Sequence, residues 1–271
     1  MPELPEVETT RRGIEPHVLG QTIASVLIRN RNLRWPVPRS LDRRLRGNRI
    51  DHVGRRGKYI LLRATSGTIL VHLGMSGSLR IVNGDSVAGK HDHVDIIFTN
   101  GKCLRLRDPR RFGSVLWAGQ RPFQHKLLRS LGPEPLEDEF NSLYLYETTR
   151  RRKLAIKALI MDSRMVVGVG NIYASEALYR CGIDPRRAAG RISLSRYDKL
   201  VQAIKQVLDD AIGDGGTTLR DFVNGEGSPG YFGLKLNVYG RPNQPCYACN
   251  NPIHQITQGQ RSTYFCPKCQ H

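Results

Sequence analysis

The stretch YILLRATSGTILVHLGMSGSLRIVN at residues 59–83 decides the fold. It holds three short apolar segments, Tyr59–Leu62, Thr68–His72 and Ser78–Val82, parted by glycine-bearing breaks such as Ser66-Gly67. Runs of this length, rich in β-branched residues and bounded by turn formers, read as strands. Working outward, Ile23–Ile28, Val94–Phe98, Lys102–Leu106 and Ser114–Trp117 keep the rhythm, with Asn100-Gly101 as a further turn signal. Their spacing predicts an antiparallel sandwich or barrel with a first helix, Pro5 to His17, packed against it. Pro5, Glu6 and Glu8 suit the first turn of that helix.

Gly132-Pro133-Glu134-Pro135 breaks the strand pattern and reads as a linker. Beyond it the apolar residues take helical spacing in Phe140–Thr148, Leu154–Met161, Ile172–Arg180 and Ser193–Ile212. The glycine-rich turn Val166-Val167-Gly168-Val169-Gly170-Asn171 precedes a helix start without a parallel βαβ context, so it is no dinucleotide fingerprint. It either delivers backbone N–H groups and Asn171 to a phosphate or simply joins two helices. The expected class is α+β multidomain: a β-sandwich at 1–131, a linker at 132–136, helices at 137–236 and a C-terminal metal-held hairpin at 237–271.

A length of 271 residues suits two cores, and 39% hydrophobic residues excludes a disordered chain. No apolar run approaches a membrane span and no signal peptide is visible, so a membrane partner is not expected and the cytoplasm is. The formal net charge of +18 favours a polyanion, nucleic acid first. Twelve Lys/Arg against two acids lie between Arg29 and Arg63, and a second run, Arg150-Arg151-Arg152-Lys153 with Lys157, lies far along the chain. Two such runs fit a groove between domains, although a basic run can also be a solvated face.

Cys246-Tyr-Ala-Cys249 and Cys266-Pro-Lys-Cys269, with sixteen residues between the pairs, offer four thiolates to one tetrahedral Zn²⁺. Two disulfides are the weaker alternative. Four protein ligands leave no open position, so the metal is expected to be structural and to supply the folding energy of the small ribbon around it. Cys103 and Cys181 stand outside this pattern and are expected to be buried thiols. Arg261 falls near the tip of the metal-held hairpin, where an arginine can grip phosphate.

The N-terminus carries a second chemistry. Removal of Met1 leaves Pro2 with a free secondary amine, a nucleophile toward an electrophilic sugar carbon. A terminal amine titrates near pH 8 (roughly), so an unprotonated fraction exists at neutral pH. Glu3 and Glu6 lie beside it as proton-transfer or charge-stabilising groups.

Seven segments spell out a family when taken in order: MPELPEVE at 1–8, RRGKY at 55–59, HLGMSGSL at 72–79, KHDHVD at 90–95, DPRRFG at 108–113, VVGVGNIYASEAL at 166–178 and QRSTYFCPKCQ at 260–270. End to end the chain resembles bacterial formamidopyrimidine-DNA glycosylase, with no departure at the motif positions. The resemblance implies a β-sandwich with flanking helices, a helix–two-turn–helix module and a zinc finger. It also implies excision of oxidised purines, 8-oxoguanine and formamidopyrimidines, from duplex DNA, followed by β,δ-elimination at the abasic site through a Pro2 Schiff base.

By resemblance Glu3 is the acid that protonates the sugar ring oxygen, while Lys58 and Arg261 match residues assigned to the elimination steps. Arginine is a poor proton donor, so Arg261 is expected to act by electrostatic positioning. Met75, Arg110 and Phe112 match the wedge that fills the hole left by an everted nucleotide. His91, Arg110 and Arg152 match DNA contacts, with Lys157 and Asn171 as phosphate ligands. Segment Gly215–Phe232, with Thr217, Thr218 and Tyr231, looks like a loop over the everted base. The implied partner is damaged double-stranded DNA, bound by a monomer at the bacterial nucleoid.

Two rivals remain at this level. The sibling endonuclease VIII type uses the same machinery on oxidised pyrimidines, but Leu4 and the Met75/Arg110/Phe112 set favour purines. A non-catalytic zinc-ribbon DNA-binding protein explains the charge and the cysteines and leaves Pro2-Glu3 without purpose.

Overall fold

The computed structural model describes residues 2–215 and 236–271. They fall into two compact units: one is built on residues 2–130, the other on 131–213 with 236–271.

The first unit is the expected antiparallel sandwich. Helix α1 (Leu4–Val18) precedes strands β1 (Ile23–Ile28), β2 (Ile50–Arg56), β3 (Tyr59–Ala64), β4 (Gly67–His72), β5 (Ser78–Asn83), β6 (Asp92–Phe98), β7 (Lys102–Arg107) and β8 (Ser114–Gly119), and a short helix α2 (Leu41–Leu45) lies between β1 and β2. One sheet has the order β1-β6-β7-β5 and the other β2-β3-β4-β8. Every pairing between these strands is antiparallel. Their inner faces enclose a core that includes Ile60, Leu62, Ile69, Val71, Val94, Ile96 and Leu104.

Helix α1 touches β2 and β3 of one sheet and β5 and β7 of the other, so it closes the sandwich along its side. Val7, Ile14 and Val18 recur on one helical face and enter that same core. The helix opens with a reciprocal capping box in which the Glu3 N–H donates to Glu6 Oε2 at 2.7 Å, and Pro5 sits in the first turn where its missing N–H costs nothing.

All seven strand segments expected from the sequence are strands. Strand β2 was not among them. Its pattern, Ile-Asp-His-Val-Gly-Arg-Arg, is interrupted by a bulge between Ile50 and His52 and reads as basic loop rather than alternating strand.

The second unit carries α3 (Ser142–Thr149), α4 (Ile156–Ile160), α5 (Asn171–Arg180), α6 (Leu194–Gly213) and a hairpin of β9 (His254–Gln258) with β10 (Arg261–Phe265). Helix α6 is amphipathic, with Tyr197, Leu200, Val201, Ile204, Val207, Leu208 and Ala211 buried at helical spacing against α3 and α5. Tyr197 is wholly buried, and its hydroxyl donates to Ala189 O and meets Thr149 Oγ1, both at 2.9 Å. Helix α4 is shorter than the expected Leu154–Met161 because Ala155 stays extended in a bridge to Ala188 and Ile156 N–H pairs with Arg187 O. Helices and hairpin share one compact unit, with β10 packed on α5.

Candidate active site and nucleic-acid interface

The capping box fixes the start of α1 and so the residues meant for chemistry. Pro2, Glu3 and Glu6 are all buried, and Glu3 N–H is held by the Glu6 carboxylate. Two residues beyond Glu6, Glu8 accepts from Arg11, Arg12 and Arg55. Burial pushes the Glu8 carboxyl up, and the Arg11 and Arg12 hydrogen bonds outweigh it, holding it below the ordinary carboxylate range. Arg55 also donates to Gly57 O at 3.0 Å, and Gly57, with φ +55, makes the β2–β3 turn that carries half-buried Lys58.

His72, at the end of β4, belongs to this corner and was not singled out in the sequence. Its ring lies 4.8 Å from the Tyr59 ring, and its Nδ1 accepts the Gly74 N–H at 3.0 Å. That bond leaves the proton of the neutral ring on Nε2. Burial, aided by the charges of Lys58 and Arg34, pushes the His72 pKa down to about 4.

The three expected wedge residues sit on two neighbouring loops. Met75 is in the β4–β5 turn, and Arg110 and Phe112 lie between β7 and β8. All three are exposed, and the Arg110 guanidinium lies 4.9 Å from the centre of the Phe112 ring. Asp108, fully buried, ties the loops together: Ser76 Oγ donates to Oδ1 at 3.1 Å and Gly113 N–H to Oδ2 at 2.7 Å. Ser76 Oγ also receives the Arg110 N–H. Gly74 has φ +66, and a Cβ there would lie 2.4 Å from Phe112 C and Gly113 N, so only glycine permits this approach.

Half-buried His91 joins the same hub through its backbone, its carbonyl accepting the Asp108 N–H at 2.9 Å. His93 Nε2 is paired with Asp108 O. Neither histidine belongs to a metal-ligand cluster among the described residues. Asp108 and Ser76 carry the geometry, yet their only sequence signal was membership of the DPRRFG and HLGMSGSL motifs.

In the second unit, Lys157 is almost wholly buried. Its Nζ donates to Asn171 Oδ1 at 2.6 Å, Thr263 Oγ1 at 2.7 Å and Ser262 O at 3.2 Å. Asn171 Nδ2 donates to the same Ser262 carbonyl at 2.9 Å. Lys157, expected as a phosphate ligand, thus also pins β10 to α4 and α5 through its ammonium. Asn171 is the first residue of α5, after Gly168 with φ +82.

Arg261, first in β10, is exposed beside the turn of Gly259 and Gln260, both at positive φ. It lines a cleft of about 210 Å³ with Lys157, Met161 and Asp162. Arg152 is also exposed, its Nε donating to Thr148 O at 2.9 Å. Segment Gly215–Phe232, with Thr217, Thr218 and Tyr231, lies outside the described residues except for Gly215, as does Met1.

Cys246, Cys249, Cys266 and Cys269 place their sulfurs within 4.8 Å of one another. Cys246 and Cys269 sulfurs are 3.9 Å apart and those of Cys249 and Cys266 3.4 Å, too far for disulfides. A tetrahedral zinc with Zn–S bonds of about 2.3 Å requires sulfurs about 3.8 Å apart, so the donor set fits one structural Zn²⁺. Around it the core is only Val238, Ile253 and the cysteines, edged by Tyr179 and Tyr264. Outside this cluster, Cys103 is buried, its thiol pushed up to about 12 chiefly by burial, and Cys181 is half-buried.

Comparison with known proteins agrees with this geometry. Residues 1–115 match the Formamidopyrimidine-DNA glycosylase N-terminal domain, residues 131–223 its H2TH domain and residues 243–271 the zinc finger found in FPG and IleRS. The formamidopyrimidine-DNA glycosylase of Stutzerimonas stutzeri is 58% identical over 270 residues, covering 100% of both chains. That of Nitrosococcus oceani is 56% identical over 271 residues, again covering 100% of both. Among solved structures, MutM (Fpg) from Thermus thermophilus superposes with a TM-score of 0.88 at 37% identity, covering 99% of this chain and 98% of that one. Lactococcus lactis Fpg in complex with abasic-site DNA gives 0.92 at 32% identity over 99% of each chain. A complex of the Lactococcus protein with Fapy-dG DNA gives 0.90 at 31% identity, covering 99% of this chain and 100% of that one. The chain belongs to the formamidopyrimidine-DNA glycosylase family.

Proposed function

We propose that this protein excises oxidised purines from duplex DNA and then cuts the strand at the abasic site, as a base-excision repair glycosylase and lyase. The observation that carries the reading is the Met75–Arg110–Phe112 plug, built in the same unit as Pro2, Glu3 and Lys58. A plug of thioether, cation and aromatic plate suits an unstacked step, and in the same unit as Pro2 and Glu3 it fits an enzyme that everts a nucleotide rather than a protein that only kinks the duplex.

With Met1 removed, the Pro2 nitrogen lone pair attacks C1′ of the everted nucleotide, and the bond from C1′ to the base breaks with its electrons on the base. The proton of the attached amine neutralises the departing base. Glu3, in its acid form, then protonates the ring oxygen as the C1′–O bond opens, leaving a Pro2–C1′ iminium. The iminium acidifies C2′–H. Loss of that proton expels the 3′ phosphate, and a second elimination expels the 5′ phosphate. Lys58 and Arg261 hold phosphates; Arg261 acts as a fixed cation rather than a proton donor. His91, Arg110, Arg152 and Asn171 add contacts to the DNA backbone.

Cys246, Cys249, Cys266 and Cys269 would hold one zinc ion, which supplies folding energy to the hairpin presenting Arg261. The division into a catalytic sandwich (1–131), linker (132–136), helical DNA-binding part (137–236) and zinc finger (237–271) follows this assignment of tasks. A single chain carries every group named, so a monomer suffices. The bacterial relatives support a working place on nucleoid DNA in the cytoplasm.

Borohydride reduction with a duplex containing 8-oxoguanine opposite cytosine tests the proposal. A covalent complex is expected with correctly processed protein and none with Pro2→Gly, whose duplex affinity stays near the original. Faster trapping on thymine glycol would assign the protein to the pyrimidine branch. No trapped complex on any lesion would refute the enzyme reading.

A further inference from the structure

The outer face of the β2-β3-β4-β8 sheet holds a cavity of about 530 Å³ that no step above uses. Its floor is Gly54 of β2 and Leu61 of β3, directly paired across the strands, and its wall is the segment Arg121–Gln124 that follows β8. Arg55, held by Glu8 at the catalytic corner, reaches its edge, and the register carries the rest of the lining away from that corner. Tyr59 pairs with His72 at the Lys58 end of the sheet, whereas Arg63 pairs with Thr68 at the other. Thr68, which lines the cavity, is four residues from His72 along β4, about 13 Å at ordinary strand rise.

The lining has a definite chemistry. Arg63 and Arg121 stand at the cavity, and neither meets a carboxylate among the described residues. No acid lines it. Phe123 is 61% exposed, a large aromatic face left uncovered on a wall shared with Arg121, Pro122 and Gln124. The Gln124 amide offers both donors and an acceptor. Gly54 keeps the floor open: a Cβ there would meet only the His52 ring, at 3.0 Å and 3.3 Å, a side chain that is itself exposed and can turn away.

We propose that this cavity binds a nucleoside phosphate, separately from the lesion site. Guanidinium forks match phosphate oxygens in charge and geometry, a free aromatic face stacks on a heteroaromatic base, and an amide reads a base edge. The volume lies in the roughly 300–1,000 Å³ range of small-ligand sites. A half-open cavity of this volume holds one such unit, where an acidic peptide would need an extended groove. The same unit reaches the cavity either as a free nucleotide or as one unstacked residue of a single strand.

The test uses the full zinc-loaded protein, with ADP as the free probe and the single strand (dA)6 as the tethered one. Binding is read by calorimetry and by backbone amide shifts. The expected result is binding of at least one probe, with shifts at Gly54, Thr68 and Gln120, weakened tenfold or more by Gly54→Val, which fills the floor. Arg121→Glu should weaken it similarly, and both variants should excise 8-oxoguanine at the unaltered rate, which also reports that they fold. ADP binding assigns the free source; (dA)6 binding alone, with the same sensitivity, assigns the strand. Binding of both probes unaffected by either substitution overturns the proposal. So do shifts confined to Gly74 and Gly113, binding of neither probe, or binding only of an aspartate-rich hexapeptide ending in phenylalanine.

Discussion

Arg55 joins Glu8 to the Lys58 turn: its Nε donates to the Glu8 carboxylate at 3.1 Å and its Nη1 to the Gly57 carbonyl at 3.0 Å. One guanidinium thus spans the helix that follows Pro2-Glu3 and the turn that presents Lys58. The pair is largely screened from water, with side chains 13% and 11% exposed.

Glu8→Gln removes the charge while keeping the shape. It should lower kcat for strand cleavage about tenfold, since small misplacements of a reacting group cost one to two orders of magnitude. The dissociation constant for duplex DNA should stay within about twofold. Single-turnover cleavage and binding isotherms separate the two, and an equal loss in both would mean the bridge only stabilises the fold.

Asp108→Asn keeps one acceptor and loses the charge that holds Ser76 and Gly113 together. Charge-assisted bonds of this kind contribute about 1.5–3 kcal/mol each, so Tm should fall by several degrees and lesion excision should drop with it. Phe112→Ala, in contrast, removes an exposed plate. It should depress excision without moving Tm. Calorimetry beside an excision assay distinguishes a lost hub from a lost wedge.

Zinc chelation, Cys249→Ser and Lys157→Met should converge on one phenotype. Each frees β10 from the helices, by unfolding the hairpin or by removing the ammonium shared among Asn171, Ser262 and Thr263. Affinity should fall for damaged and undamaged duplexes alike, with lesion preference kept. The expected spectroscopic difference is that Lys157→Met retains its metal and Cys249→Ser does not.

His72 gives the pH response a sign. Its pKa is about 4 when folded, against 6.5 for the free side chain. Between these values the unfolded chain binds the proton and the native ring does not, so stability falls as pH drops from about 6.5 to 4 and levels off below. His72→Gln should flatten that limb of a Tm-against-pH curve. An unchanged curve would place the acid sensitivity elsewhere.

Much of this was legible in the sequence because it rests on local patterns. The period of residues 59–83 gave β3, β4 and β5, and the paired Cys-x-x-Cys knuckles gave a cluster that geometry closes. Met75 and Phe112 could be named from their motifs, but the contact between their loops depends on Asp108, a buried charge that no periodicity marks. Lys157 read as a phosphate ligand near a basic run. Its burial depends on Thr263, 106 residues onward, a partner that only the tertiary fold supplies. Strand β2 escaped because its bulge between Ile50 and His52 breaks alternation at one end and Arg55-Arg56 make the other end read as basic loop.

The clearance at Gly74 carries a last consequence. With Phe112 backbone atoms lying where a side chain would begin, the Met75 and Phe112 loops pack backbone to backbone, and Asp108 bonds them together. Pressed against a base pair, such a probe yields little, and the compliance must come from the duplex. Interrogation then becomes a mechanical comparison, in which a weakly stacked pair gives way under a stiff finger and a sound one pushes it back.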